Sequence, residues 1–119
     1  MTGRRRPAPV AGAVLGLAYG GELVRVAGAA PLVIGRDGGC GLVVDNAHAS
    51  RRHATISRDG AGWVIEDHST NGTWLVDQTG RPYRLSQARA TLTGSGRISL
   101  GRHPDQAGAA VLLYQLAGE

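Results

Sequence analysis

Short runs of alternating apolar and polar residues, separated by turn residues, make up almost the whole chain. Residues 22–27 show most clearly the two-residue period that a half-buried strand requires. No segment carries a convincing set of apolar residues at the 3.6-residue period of an amphipathic helix. The runs predicted as strands are residues 14–18, 22–27, 32–34, 42–44, 53–57, 63–67, 73–76, 81–85, 97–100 and 110–116.

Turn residues separate these runs at close and regular intervals. Gly20-Gly21 follows the first run, and Asp59-Gly60 lies between residues 53–57 and 63–67; both pairs are typical of tight hairpins. Many short strands at this spacing predict an all-β sandwich or barrel of about ten or eleven strands. The one stretch with any helical tendency, residues 86–90, is too short to change this class.

Length and composition are those of one folded domain. A chain of 119 residues buries roughly two-thirds of its unfolded surface, so it needs no disulfide or metal to fold. Its 42% hydrophobic and 18% charged residues exclude wholesale disorder. Cys40 is the single cysteine, which excludes an intramolecular disulfide and a cysteine-rich zinc site and favours a reducing, cytoplasmic setting.

The positive charge is concentrated in the first residues. All 13 basic side chains are arginine, and the net charge is +4. Residues 1–11 are predicted to be a flexible tail, and the three arginines at 4–6 lie within it. Without those three, 10 basic residues face 9 acidic ones, a net charge of +1 for the body of the domain. We therefore expect no nucleic-acid or membrane partner, with contact of the tail to a phosphate backbone as the alternative.

The apolar residues at 8–19, placed after these arginines, imitate a secretory signal. The stretch is shorter than the roughly 20 residues that a membrane-spanning helix needs. It is also interrupted by glycine, which suits strands and turns. We interpret it as the first strand of a soluble domain, which is expected to begin at residue 12, with a secretory signal as the alternative.

Three motifs in predicted loops carry chemistry: Gly35-Arg36, Ser50-Arg51-Arg52-His53-Ala54 and Asp67-His68-Ser69-Thr70-Asn71-Gly72-Thr73. Arginine offers a planar, permanently charged fork for phosphate or carboxylate. The hydroxyls of Ser50, Ser69 and Thr70 add neutral donors. Asn71 can donate and accept at once, which suits a peptide main chain. The residue types alone therefore suggest a reader of an oxyanion on a peptide.

The order and spacing of these motifs resemble those of a forkhead-associated (FHA) domain. A tryptophan strand at 63–67 and the sequence Ile-Ser-Leu-Gly at 98–101 extend the resemblance over residues 12–116. Assigning residues 12–119 to this family implies a β-sandwich of about eleven strands that binds phosphothreonine-containing proteins or peptides through loops at one end. It also implies no catalysis, no cofactor and no metal.

The resemblance implies roles for individual residues. The phosphopeptide-binding group would be Arg36, Ser50, Arg51, Thr70 and Asn71. Arg36, Ser50 and Thr70 would contact the phosphate, Arg51 would lie against the peptide or assist the phosphate, and Asn71 would hydrogen-bond the peptide backbone. The residues that would shape the binding loops are Gly35, His53 and Gly72.

One loop departs from the family pattern. Residues 45–50 form a loop one residue longer than usual, and Ala49 replaces a larger apolar residue. This change makes His48 a candidate contact for peptide side chains.

Other interpretations use the same residues. Ser50, His53 and Asp67 are the residue types of a catalytic triad, but nothing in the sequence positions a nucleophile elbow. His48 and His53 lack a cysteine or carboxylate cluster for a metal. A different class of function is an assembly or scaffold module of the same fold that binds its partner independently of phosphate.

We expect the domain to be a monomer or a weak dimer.

Overall fold

The predicted strands pair into two packed sheets in a computed structural model of the protein, which describes residues 14–28, 30–60 and 62–117. These residues form eleven strands and no helix. The strands are β1 (Val14–Tyr19), β2 (Glu22–Val26), β3 (Leu32–Gly35), β4 (Leu42–Val43), β5 (Ala54–Asp59), β6 (Gly62–Asp67), β7 (Thr73–Val76), β8 (Pro82–Leu85), β9 (Arg89–Leu92), β10 (Ser95–Leu100) and β11 (Ala110–Ala117). The predicted tail, residues 1–11, lies outside the described residues.

The strands are ordered β2-β1-β11-β10-β7-β8 in a six-stranded sheet and β4-β3-β5-β6-β9 in a five-stranded sheet. Neighbouring strands are antiparallel, except that β3 and β4 are parallel. This architecture confirms the predicted all-β sandwich. For the ten predicted segments, the strand ends differ from the predicted ends by at most two residues.

The core lies between the two sheets because each strand turns its alternate side chains inward. Leu15 and Leu17 on β1 are fully buried, and so are Trp63 and Ile65 on β6. The predicted two-residue turn also forms: Tyr19 pairs with Glu22 across Gly20 and Gly21, whose φ angles are +59° and +84°. Positive φ at both turn positions matches the twist of the flanking strands and favours glycine.

The tendency predicted for a helix at residues 86–90 was wrong. Gln87 has a φ of +53°, which interrupts a right-handed helix, and its N–H donates to Asp67 Oδ2 at 2.9 Å. Arg89–Leu92 then forms β9, which pairs with β6 at the edge of the five-stranded sheet. An available sheet edge thus decides the structure of a segment whose own pattern is weak. No helix long and apolar enough to cross a membrane occurs in the described part of the chain.

The loops that carry the three motifs meet at one end of the sandwich. The Gly101 N–H, after β10, donates to the Gly72 carbonyl at 2.9 Å. The Asn46 side chain, after β4, donates to the Gly108 carbonyl at 3.1 Å. These bonds join the loops between β4 and β5, β6 and β7, and β10 and β11 into one surface.

Candidate functional site

Arg36 is the first residue after β3, and its backbone ties this loop to the loop before β5. The Arg36 N–H donates to the Ser50 carbonyl at 2.9 Å, and the Asp37 N–H donates to the Arg51 carbonyl at 3.0 Å. Arg36 Nε donates to the Ala49 carbonyl at 3.2 Å. The side chain is exposed, and its two terminal nitrogens have no hydrogen-bond partner among the described residues. Arg36 is therefore anchored at Nε and still offers charged donors.

Gly35 is buried where these two loops cross. A Cβ at this position would overlap the Arg51 carbonyl oxygen and lie 2.9 Å from the His53 nitrogen. Real Cβ atoms do not approach backbone so closely, so a side chain at Gly35 would push the loops apart. The absent side chain is what allows Arg36 to lie against residues 49–51.

Asn46 shapes the loop between β4 and β5. Its Oδ1 accepts the His48 N–H at 2.8 Å, and its carbonyl accepts the Ala49 N–H at 3.0 Å. Ala49 is buried and packs in the hydrophobic core, so the small residue of this longer loop faces inward. His48 is half-buried, and its ring makes no hydrogen bond within the described residues. Its contact with a peptide stays a prediction.

His53 connects the β4–β5 loop to the β6–β7 loop. Its ring is fully buried; Nδ1 lies 2.9 Å from the Ser50 N–H donor, and Nε2 lies 2.8 Å from the Gly72 carbonyl oxygen. These two partners require a neutral ring protonated at Nε2, because Nδ1 must accept. Burial lowers the pKa of His53 and outweighs the Gly72 carbonyl and the Asp67 carboxylate, which raise it.

Asp67 organises the β6–β7 loop from inside. Its Oδ1 accepts the hydroxyls of Ser69 at 2.6 Å and Thr73 at 2.7 Å, and Oδ2 accepts the Gln87 N–H. Burial raises the pKa of this carboxyl, but the hydrogen bonds from Ser69, Gln87 and Thr73 outweigh it, and the pKa lies below its ordinary value. The charge of Asp67 is thus used to hold the loop.

Thr70 and Asn71 form the exposed tip of that loop. The Ser69 hydroxyl accepts the Gly72 N–H at 2.7 Å, and Gly72 has a φ of +92°, so the chain reverses sharply after Asn71. The side chains of Thr70 and Asn71 make no hydrogen bond to any other described residue. The loop therefore presents two polar groups on a fixed backbone.

Ser50 is the point at which three of these segments meet. Its carbonyl accepts from Arg36, its N–H donates to His53, and its Oγ accepts the Thr70 N–H at 3.2 Å. A serine hydroxyl can accept and donate at once, so its own proton remains available. The structure thus brings together the three residues predicted to contact phosphate: Arg36, Ser50 and Thr70.

Comparison with known proteins decides the family. Residues 32–90 match the family model described as FHA domain. FhaB of Mycobacterium tuberculosis (strain ATCC 25618 / H37Rv), an FHA domain-containing protein, is 48% identical over 72 residues, which cover 60% of this chain and 39% of FhaB. The chain belongs to the FHA domain family. The matched segment is well under half the length of that relative.

Solved structures support the assignment of an FHA fold. The FHA-1 domain of Mycobacterium tuberculosis Rv1747 is 25% identical, with a TM-score of 0.71 over 93% of this chain and 99% of that chain. Mycobacterium tuberculosis EmbR, solved in complex with a low-affinity phosphopeptide, is 27% identical, with a TM-score of 0.67 over 90% of this chain and 25% of that chain. The strands and loops described above are those of an FHA sandwich.

The residues of a catalytic triad are present in this FHA domain but are not arranged as one. His53 bonds the backbone N–H of Ser50 rather than its hydroxyl, and its other nitrogen is held by the Gly72 carbonyl. Asp67 lies 3.9 Å from His53 Nε2, and its oxygens are occupied by loop donors. Because the His53 ring and the Asp67 carboxylate are both buried and bonded elsewhere, neither serves Ser50 as a general base. FHA domains are non-catalytic interaction modules.

Three arginines lie exposed in the loops of the site. Arg36, Arg51 and Arg52 are exposed, whereas the Asp67 charge is buried beneath the loop. The buried Cys40 thiol donates to the Arg51 carbonyl at 3.2 Å. Burial and, to a smaller extent, the negative charge of Asp37 raise the pKa of this thiol, so Cys40 is a poor nucleophile. No group of three or more metal-ligating side chains occurs in residues 14–28, 30–60 and 62–117.

Sequence reasoning missed several residues and misassigned one. Ser69 was a candidate hydroxyl donor for a ligand, but it is buried and its hydroxyl is used by Asp67 and Gly72. Asn46 and Gln87 were not singled out: Asn46 shapes the loop in which it lies, and Gln87 braces the β6–β7 loop from the segment before β9. Asparagine favours turns because its side chain can accept the backbone N–H two residues later, as Asn46 does from His48. No local signal identifies Gln87.

Proposed function

We propose that this FHA domain is a non-catalytic reader that binds a phosphothreonine-containing segment of a partner protein at its loop surface. The observation that supports it is the junction at Ser50, whose carbonyl and hydroxyl accept the backbone N–H groups of Arg36 and Thr70 and so join the segments that carry an arginine and two hydroxyls. A phosphothreonine carries about −1.5 to −2 charges and three strong acceptor oxygens. Arg36 supplies the charge, and Ser50 and Thr70 supply neutral donors that match the remaining oxygens.

The other predicted residues complete this proposal. Asn71 has an amide without a hydrogen-bond partner among the described residues, next to Thr70, and serves as the contact to the peptide backbone. Arg51 is exposed next to Ser50 and strengthens the positive field around the phosphate. The partner would be a target of a serine/threonine kinase, and the cytoplasm, where kinases find ATP, is the proposed setting.

Binding peptides are selected from a degenerate phosphothreonine peptide library, and calorimetry then measures the affinity of defined members of it. We expect micromolar binding of the phosphothreonine form and much weaker binding of the threonine form. Each charge-assisted hydrogen bond is worth roughly 1.5–3 kcal/mol, so Arg36→Ala lowers affinity by about 10- to 150-fold. Phosphoserine peptides measure the contribution of the threonine methyl group.

Arg81→Ala is the matched control, since it removes the same charge before β8, at the end of that strand away from Gly72. It should leave affinity within about twofold. Full affinity in Arg36→Ala, or equal binding of the threonine and phosphothreonine peptides, would contradict the proposal.

One observation favours the phosphate-independent scaffold function as a second candidate. Leu23 and Leu113 are 69% and 55% exposed, and they flank Ala18 on the outer face of the six-stranded sheet. Exposed leucines on one sheet face are typical of a protein contact. Binding of a partner that survives phosphatase treatment but is lost in Leu113→Asp would support this candidate over the first.

A further inference from the structure

Arg84 on β8 hydrogen-bonds the loop tip that carries Asn71. Its Nε and Nη2 donate to the Asn71 carbonyl oxygen at 3.3 and 3.2 Å. β8 is an edge strand, and Arg84 stands opposite Trp74 on β7 in the register of the sheet. The planar guanidinium therefore reaches from a rigid sheet edge to a carbonyl 13 residues earlier in the chain.

The Arg84 side chain also packs against Gly72. A Cβ on Gly72 would lie 2.5 Å from Arg84 Nε and 3.1 Å from Arg84 Cγ. Gly72 thus serves two purposes: it adopts a positive φ, and it leaves room for the arginine stem. On its other side the Gly72 carbonyl accepts from His53 and Gly101.

The Asn71 amide depends on this arrangement for its position. The amide makes no hydrogen bond to any described residue, so its direction follows from the backbone that carries it. The Ser69 hydroxyl holds the N–H side of the Asn71–Gly72 peptide group, and His53 and Gly101 hold the Gly72 carbonyl. Arg84 is the side chain that holds the Asn71 carbonyl. Within the described residues no other donor to that carbonyl is found.

We propose that Arg84 is a positioning residue for recognition of the peptide backbone: it fixes the Asn71 peptide group so that the Asn71 amide is ready to bind. For its ligand this inference rests on the proposed function, but the effect on the loop is a property of the free protein. Pre-ordering the loop removes an entropy cost that would otherwise be met on binding.

A long-range effect of charge is the competing explanation. Arg84 has no carboxylate within ion-pair distance in the described part of the chain, so its charge is not neutralised by a neighbour. Lysine keeps that charge but lacks the fork that places two donors on one carbonyl. The substitutions Arg84→Met and Arg84→Lys therefore separate geometry from charge.

Binding is measured with a phosphothreonine peptide selected from the library. We expect Arg84→Met and Arg84→Lys each to weaken binding about tenfold, and Arg81→Met to change it by less than about twofold. In an Asn71→Ala background, Arg84→Met should cost less than about twofold, because Arg84 acts through Asn71. Full affinity in Arg84→Lys, or an undiminished loss in the Asn71→Ala background, would overturn the proposal.

A measurement on the free protein tests positioning without a ligand. Backbone ¹⁵N relaxation should show Asn71 and Gly72 as rigid in the wild type, with order parameters near 0.85, and lower order parameters in Arg84→Met, where the Ser69 hydroxyl still holds the Gly72 N–H. The β6 amides report whether the fold is intact. Unchanged order parameters at Asn71 and Gly72 would overturn the inference even if the peptide binds, and a loss of order supports it even if no phosphopeptide does.

Discussion

Replacing His53 by leucine tests the central bridge of the site. The ring is fully buried and makes two hydrogen bonds, with the Ser50 N–H at 2.9 Å and with the Gly72 carbonyl at 2.8 Å. Leucine is of comparable size and leaves little cavity, but it can replace neither bond. The substitution therefore isolates the polar contribution of the bridge.

The expected loss of stability follows from what happens to each hydrogen-bond partner of the His53 ring. The part-buried Ser50 N–H loses its acceptor, and leaving such a donor unsatisfied costs at most about 1–3 kcal/mol. The Gly72 carbonyl keeps its bond from Gly101, so only one net hydrogen bond, about 0.5–1.5 kcal/mol, is lost there. We expect a loss of about 1.5–4.5 kcal/mol in the free energy of unfolding, a large part of the roughly 5–15 kcal/mol of a typical domain.

Urea denaturation of His53→Leu measures this loss, and His68→Leu is the matched control. His68 is exposed, and the Thr55 hydroxyl, 3.0 Å away, is the one hydrogen-bond partner of its ring among the described residues. Its replacement should change stability by less than about 0.5 kcal/mol. If His53→Leu were no less stable than His68→Leu, the bridge would not stabilise the fold, and the reasoning from its buried hydrogen bonds would be refuted.

Two further perturbations test the same architecture. Burial holds the pKa of His53 below its ordinary value of 6.5, so the unfolded chain binds this proton more readily than the folded protein. The free energy of unfolding should therefore stay constant well above pH 6.5 and fall as the pH is lowered through 6.5. This fall should disappear in His53→Leu. A fall that persists in that variant would assign it to another group. Gly35→Ala places a Cβ against the Arg51 carbonyl and should cost about 1–3 kcal/mol. Gly38→Ala, in open space, should cost less than about 0.5 kcal/mol, and equal losses at the two glycines in thermal unfolding would argue against the close approach at Gly35.

Local patterns were enough to predict most of the strands. Alternation and turn residues located ten of the eleven, including the hairpin at Gly20-Gly21, because side-chain period and positive φ are local properties. The missing strand, β9, has no strong pattern of its own. It forms because β6 offers an unpaired edge, and pairing between distant segments cannot be read from either segment alone.

The candidate site divides in the same way. The types of residue that suit an oxyanion, Arg36, Ser50 and Thr70, are visible in the sequence as loop motifs. The residues that support them are not visible there, since neither Arg84 nor Gln87 belongs to a loop motif. Both act on a loop more than ten residues away, through hydrogen bonds that exist only after the sheets have paired.

The amino-acid sequence by itself determined the class of fold, the family resemblance and the chemistry available to the loops. These follow from periodicity, turn residues and the functional groups of single side chains. The tertiary structure alone decided which groups remain available to a ligand. Ser69 and Asp67 are hydrogen-bonded inside the loop, whereas Arg36, Thr70 and Asn71 keep surface donors that have no partner within residues 14–28, 30–60 and 62–117. A donor's availability depends on what the rest of the fold brings within about 3 Å of it, and that is a property of the folded chain as a whole.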